Sequence, residues 1–346
     1  MAKKKVILDC DPGSDDAVAI LLAMFSSDID LQAITTVNGN RIVPKTTENA
    51  LRVVQFMNSK VPVYRGCEDP IICNEIPERK PELPRVTRND CHGDFLPLPE
   101  AKITAEKEHA VFYLTKKLME SDGDIYVAAV GPLTNIAMAL RIEPRIADKI
   151  KELVIMGGGH TGANASSSAE FNFYADPEAA KIVMDSKIPK VILPLDATWR
   201  ACITEKQIKM LEEICTPAAK FTALMVQKRI DNLKVNDVTK HNYDLRHTAG
   251  TVGSAVLYRY DNDRTPIHDA LTIAYLIDSS IVTEYVDANV DIDIAGGLCD
   301  GRMVVDVHNT LKGKAPITAK VALNADGDKF AKMLFENFAK DKIDNI

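Results

Sequence analysis

Short apolar runs alternate with helical patterns along most of this chain, and that alternation restricts the fold more than any other feature. Residues 6–8 lead into a helical pattern at 15–25, and 31–37 into another at 46–57. A strand pattern at 61–64 precedes a proline-rich, irregular stretch from 68 to 99. Helix 107–120 follows, then strand 125–130 with helix 133–140, and strand 153–156 with helix 177–185. Strand 190–195 precedes helix 204–214 and a helix-rich zone at 217–230. A helix at 269–276, strands at 290–295 and 303–307, and an amphipathic helix at 329–339 complete the pattern. Strands that are apolar throughout and separated by helices build a mostly parallel central sheet covered by helices on both faces. No linker or low-complexity segment interrupts the pattern, so a single α/β domain spanning 1–346 is expected. Ligands of such open sheets bind beyond the carboxyl ends of the strands.

The first of those ends carries Asp9-Cys10-Asp11-Pro12-Gly13-Ser14-Asp15-Asp16-Ala17, four carboxylates within eight positions. Like charges this close repel, and a protein tolerates them chiefly where a cation or a shared proton compensates. Hard carboxylate oxygens suit Ca²⁺ or Mg²⁺ rather than zinc. Gly13 permits a sharp turn, and the N-terminus of the following helix favours negative charge. Adjacent helical residues point about 100° apart, so Asp15 and Asp16 cannot both face one ligand. One of them is free to hold a metal while the other reaches a substrate hydroxyl. Helix-capping acids would account for one or two of these carboxylates, not for four.

Other strand ends are also polar. Thr36-Val37-Asn38-Gly39-Asn40 ends the second strand, where amides commonly serve as turn residues. Val130-Gly131-Pro132-Leu133-Thr134-Asn135 ends another, and its Gly-Pro turn leaves strand-end carbonyls free as ligands for a hard cation. Met156-Gly157-Gly158-Gly159-His160 lacks the spacing and the immediate helix of a dinucleotide loop and reads as close backbone packing. In the polar loop 164–172, Glu170 and Asn172 share a side if the segment is extended. His268-Asp269 opens a helix, either as a simple cap or, with the acidic cluster, completing a metal site and supplying an acid.

The net charge of −7 argues against a nucleic-acid or anionic-membrane surface. Seven cysteines without a C-x-x-C pair form neither a disulfide framework nor a zinc pattern, so reduced thiols in a cytoplasmic protein are expected. The Met-Ala-Lys-Lys-Lys start resembles a signal-peptide n-region, but the apolar run before Asp9 is too short for an h-region. No stretch approaches the roughly 20 apolar residues of a membrane-spanning helix.

Taken together, the segments at 9–19, 33–40, 131–137, 156–159, 169–172, 176–180 and 268–270 resemble the inosine-uridine-preferring nucleoside hydrolase family, in order from residue 5 to at least 325. The resemblance implies a Rossmann-like nucleoside hydrolase fold and hydrolysis of the N-glycosidic bond of purine or pyrimidine ribonucleosides to ribose and free base, with bound Ca²⁺. It implies Asp11, Asp16, the main-chain carbonyl of Val130 and Asp269 as calcium ligands. Asp11 would also be the general base for the water held there. Asp15, Asn40, Asn164, Glu170 and Asn172, with Asp269, would grip the ribose hydroxyls and the 5′ end. His268 matches a histidine beside the leaving base, where it would act as the acid, and His92 matches another on the base side. Asp94 stands where the family has Glu, and Phe95-Leu96-Pro97 replaces a glycine-rich loop. The resemblance further implies a homodimer or homotetramer.

Two other readings start from the same residues. Asp9-x-Asp11 after a first strand also marks Mg²⁺-dependent haloacid-dehalogenase-type phosphatases, although the Lys and the later acidic pair of that class find no convincing place. A non-catalytic ribose-binding protein would keep the pocket without turnover, which the joint presence of Asp11 and His268 disfavours. Region 227–265 should border the base, yet it departs from the family's aromatic-rich pattern, so base preference stays open. Trp199 is placed either to stack on a base or to pack.

Overall fold

A computed structural model describes residues 2–72, 93–235, 263–308 and 317–340. Its strands are β1 (Lys4–Cys10), β2 (Ile29–Thr36), β3 (Val63–Arg65), β4 (Ile125–Ala129), β5 (Ile150–Met156) and β6 (Lys190–Leu193). β7 (Cys202–Thr204), β8 (Arg264–Pro266), β9 (Val282–Ile292), β10 (Met303–Asp306) and β11 (Ala319–Ala325) follow. Nine of these form one sheet in the order β10-β9-β11-β6-β5-β4-β1-β2-β3, and β7 pairs with β8 apart from it. From β3 to β11 every neighbour is parallel, whereas β9 pairs antiparallel with β11 and with β10.

The helices are α1 (Ser14–Phe25), α2 (Val43–Phe56), α3 (Ala110–Met119), α4 (Thr134–Ile142), α5 (Phe171–Ala175) and α6 (Pro177–Met184). α7 (Leu195–Thr198), α8 (Glu205–Ile214), α9 (Pro217–Val235), α10 (Ala270–Ile277) and α11 (Gly327–Phe338) complete the set. Successive strand residues point to opposite faces, and both faces are buried. Val6, Leu8 and Cys10 pack with Leu21, Val226, Ile273 and Phe330 on one side. Ile7 packs with Leu114, Ile136 and Val183 on the other. Two covered faces explain why these strands are apolar without alternation.

The mostly parallel, helix-covered sheet expected from the sequence is present. Its antiparallel edge differs in extent: β9 starts at Val282, ahead of the expected 290–295, because residues 283–285 are exposed and polar and carry no apolar run. The expected strand 190–195 ends at Leu193 and passes into the single turn α7. One irregularity matters for the site. Val6 pairs with Leu31 but Ile7 with Ala33, so Gln32 is an extra residue in β2, after which Asp9 and Cys10 face Thr35 and Thr36.

Candidate active site

Three adjacent strands, β4, β1 and β2, deliver Asp11 and its cradle together. The Asp11 carboxylate lies between two backbones: a Cβ on Gly131 would stand 2.8 Å from Oδ1, and one on Gly39 would collide with Oδ2. The Asn40 main-chain N–H donates to Asp11 Oδ2, and Asn40 Nδ2 donates to the Asp11 carbonyl at 3.2 Å. Glycine is needed at both flanking positions because only hydrogen leaves room for the carboxylate.

The first turn of α1 folds back onto this loop. Asp16 Oδ1 accepts from the Asp11 N–H at 3.1 Å, and Oδ2 accepts from the Gly13 N–H at 2.9 Å and from Asn40 Nδ2 at 3.2 Å. Its neighbour Asp15 points elsewhere, with Arg229 Nη1 of α9 at 3.0 Å from Oδ1. Arg229 also donates to Ser14 Oγ at 2.9 Å and, through Nε, to Thr265 Oγ1 at 3.4 Å.

Asp269, at the start of α10, closes the cluster. Asp15, Asp16 and Asp269 are buried, and one carboxylate oxygen from each lies within 4.8 Å of the others. Burial, then the charges of Asp16 and Asp15, pushes the Asp11 carboxyl well above its usual range. Burial, then Asp15, Asp16 and Asp11, does the same to Asp269. Arg229 brings one positive charge to these four carboxylates. An all-oxygen, buried donor set with excess negative charge fits a hard divalent cation.

Beneath the cluster, Asp9 Oδ1 accepts from Thr35 Oγ1 at 2.5 Å and from Asn135 Nδ2 at 2.7 Å, while Oδ2 has no hydrogen-bond partner among the described residues. Burial raises its pKa to about 7. The Asp9 carbonyl accepts the Val130 N–H at 2.8 Å. The Val130 carbonyl accepts from Asn172 Nδ2 at 2.9 Å, and its second lone pair leaves room for another partner.

The remaining expected residues divide. Glu170 caps α5: Oε1 accepts from the Asn172 N–H at 2.9 Å, and Oε2 from the N–H groups of Gly158 at 2.8 Å and Phe173 at 3.2 Å. Burial carries its pKa to about 7 despite those bonds. Asn164 is exposed, and its Oδ1 accepts from the Phe171 N–H at 2.8 Å. Half-buried His268 has Nδ1 at 2.8 Å from Thr198 Oγ1 at the end of α7. His92 lies outside the described residues, as does 236–262 within the expected base-side region. Trp199 is buried, with its ring 2.5 Å from where a Gly162 Cβ would be, so it packs.

Asp94 pairs with Arg41 at 3.0 Å and with Lys45 at 2.5 Å, which ties the segment after 92 to the turn bearing Asn40. Three contributors escaped sequence reasoning. Arg229 sat unmarked in a helix-rich zone, Thr198 carried no motif, and Asn135 closed a quoted motif without a role. Only the last had a local signal, as a polar side chain in the first turn of the helix that follows a strand.

A sequence profile described as inosine-uridine preferring nucleoside hydrolase matches residues 6–332. The chain is 39% identical over 339 residues, 95% of each protein, to the pyrimidine-specific ribonucleoside hydrolase RihB of Escherichia coli. It superposes on the purine-preferring ribonucleoside hydrolase from Gardnerella vaginalis with a TM-score of 0.79 at 29% identity, covering 99% of this chain and 100% of that one. The plant nucleoside hydrolase PpNRh1 gives 0.80 at 26% identity, covering 97% and 99%. Fold and relatives together define an N-glycosyl hydrolase. The chain belongs to the inosine-uridine preferring nucleoside hydrolase family and is a ribonucleoside hydrolase. No helix among the described residues is long and apolar enough to cross a membrane.

Proposed function

We propose a calcium-dependent ribonucleoside hydrolase that releases ribose and free base at the Asp11–Asp15–Asp16–Asp269 cluster. The observation that carries this reading is the convergence of those buried carboxylates at the strand ends. Asp11, Asp16, Asp269 and the Val130 carbonyl would hold Ca²⁺, which when bound offsets their repulsion, orients water and lowers its pKa.

Breaking an N-glycosidic bond builds positive charge on the ribose ring, as in glycosidases. The neighbouring carboxylates stabilise that charge, while Asp15, Asn40, Asn164, Glu170, Asn172 and Asp269 hold the sugar. Asp11, fixed in direction between Gly39 and Gly131, accepts the proton of the attacking water. His268 presents its other ring nitrogen to the leaving base as its acid, with His92 as a further base-side group. Each proton transfer contributes about 10²–10⁴-fold.

The 39% identity to a pyrimidine-specific relative supports placing uridine and cytidine ahead of inosine among the substrates. Family resemblance supports a soluble, cytoplasmic homodimer or homotetramer, which sedimentation velocity tests. The deciding measurement is base release from uridine, cytidine, inosine, guanosine and adenosine without added phosphate, with EDTA and then with restored Ca²⁺. Release that EDTA stops and Ca²⁺ restores is expected. Phosphate release from phosphate esters would replace this reading with a phosphatase, and ribose binding without hydrolysis would replace it with a binding protein.

A further inference from the structure

We propose that Arg229 is a positioning residue that assigns Asp15 to the sugar and keeps its carboxylate out of the cation's ligand set. This rests on the calcium-dependent reading above and concerns how the acidic cluster divides its labour.

Distance alone does not make that division. Oxygens of Asp15, Asp16 and Asp269 lie mutually within 4.8 Å. Calcium–oxygen bonds of 2.3–2.6 Å allow ligand oxygens about that far apart around one ion. What separates Asp15 from Asp16 is the partner each has taken. Asp16 is bound by the N–H groups of Asp11 and Gly13, on the β1 side. Asp15 is bound by Arg229, on the α9 side.

Arg229 is built into the structure rather than draped over it. It is 8% exposed, and the Asp15 side chain is 8% exposed. Its guanidinium stays charged at any working pH and offers a planar fork of donors. One arm reaches Ser14 Oγ, the residue before Asp15, and Nε reaches Thr265 Oγ1, three positions before His268. The fork therefore spans the first turn of α1 and the strand leading to His268, and its hydrogen bonds to Ser14 and Thr265 hold the charge against Asp15 Oδ1 as an ion pair. Burying a guanidinium is costly unless it is paired and hydrogen-bonded. Here the carboxylate it pairs with is one whose like-charged neighbours would otherwise drive it toward any cation present.

The consequences are measurable on the metal and on the sugar separately. Arg229→Gln frees Asp15 and removes a nearby positive charge, so calorimetric titration of EDTA-stripped protein with Ca²⁺ should show binding about tenfold tighter. The KM for uridine or inosine, whichever the wild type cleaves faster, should rise about tenfold, with a smaller change in kcat. In an Asp15→Asn background the same substitution should tighten Ca²⁺ binding clearly less, because only the loss of the Arg229 charge beside Asp269 then remains. An unchanged Ca²⁺ affinity in Arg229→Gln overturns the proposal. An equal gain in both backgrounds also overturns it, since Arg229 would then act as a distant charge and not through Asp15. Arg229→Lys keeps the charge without the fork, and a raised KM with intermediate Ca²⁺ affinity is expected. If Arg229→Gln fails to fold, wild-type values of both quantities in Arg229→Lys overturn the proposal. A wild-type protein that neither binds Ca²⁺ nor releases base overturns the calcium reading itself and this proposal with it.

Discussion

Gly39 stands so close to Asp11 that a methyl group there would lie 2.0 Å from the carboxylate oxygen Oδ2. On the other side Gly131 blocks retreat, with its own Cβ position 2.8 Å from Oδ1. Gly39→Ala should therefore turn Asp11 out of place and lower kcat at least about 100-fold, within the range one misplaced base costs. Gly297→Ala, with nothing within 4 Å of its Cβ position, should leave turnover and circular dichroism unchanged. A Gly39→Ala enzyme with wild-type kcat would mean that this close approach does not set the rate.

Removing the carboxylate itself is the sharper test of its role. Asp11→Ala should abolish base release, by more than the roughly 10²–10⁴-fold of a general base, because the proposed cation ligand goes with it. Near-normal turnover would exclude Asp11 as the base.

The proposed role of His268 makes a comparison between substrates. His268→Ala should slow natural nucleosides far more than p-nitrophenyl riboside, whose leaving group departs without a proton. Thr198→Val removes the hydroxyl 2.8 Å from His268 Nδ1 and should show the same substrate dependence at about tenfold smaller cost. Equal slowing of both substrates by His268→Ala would count against the acid role.

Asp9 makes a prediction about pH. Burial raises its folded pKa to about 7 from the ordinary 3.8 of an aspartate. Between those values the folded state holds the proton more tightly than the unfolded chain, so this group's contribution to stability falls as pH rises. Above about 7 the penalty is complete and constant. In urea melts of EDTA-treated protein, Asp9→Asn should gain stability relative to wild type between about pH 4 and pH 7, by up to about 4 kcal/mol. A difference that is flat across that window would refute the shift.

Much of the site was readable because its chemistry is local. The apolar run 6–8 followed at once by Asp9, Asp11, Asp15 and Asp16 announces a strand, a turn and a helix start carrying charge. Asp269 was harder, since its approach to that cluster depends on the whole sheet, and family resemblance rather than spacing brought it in. Arg229 left only a regional trace, inside the 227–265 stretch expected to border the base. It meets Ser14 across 215 positions, and one cation among the four of α9 has no period or motif to betray its target. Strand β11 was missed for a related reason: Ala319–Ala325 mixes Lys and Asn with small apolar residues, and its neighbours in space supply the pattern its own sequence lacks.

The extra residue Gln32 in β2 behaves like a shim. By advancing the strand one position against β1, it decides that a hydroxyl, Thr35 Oγ1, meets the otherwise underserved Asp9, and it sets how far along the Asn38–Asn40 turn begins. Deleting one residue there would remove none of the proposed site residues, yet it would shift the register of Thr35 and Thr36 against Asp9 and Cys10. Alignments that absorb such a gap without comment will pair the right letters and the wrong atoms.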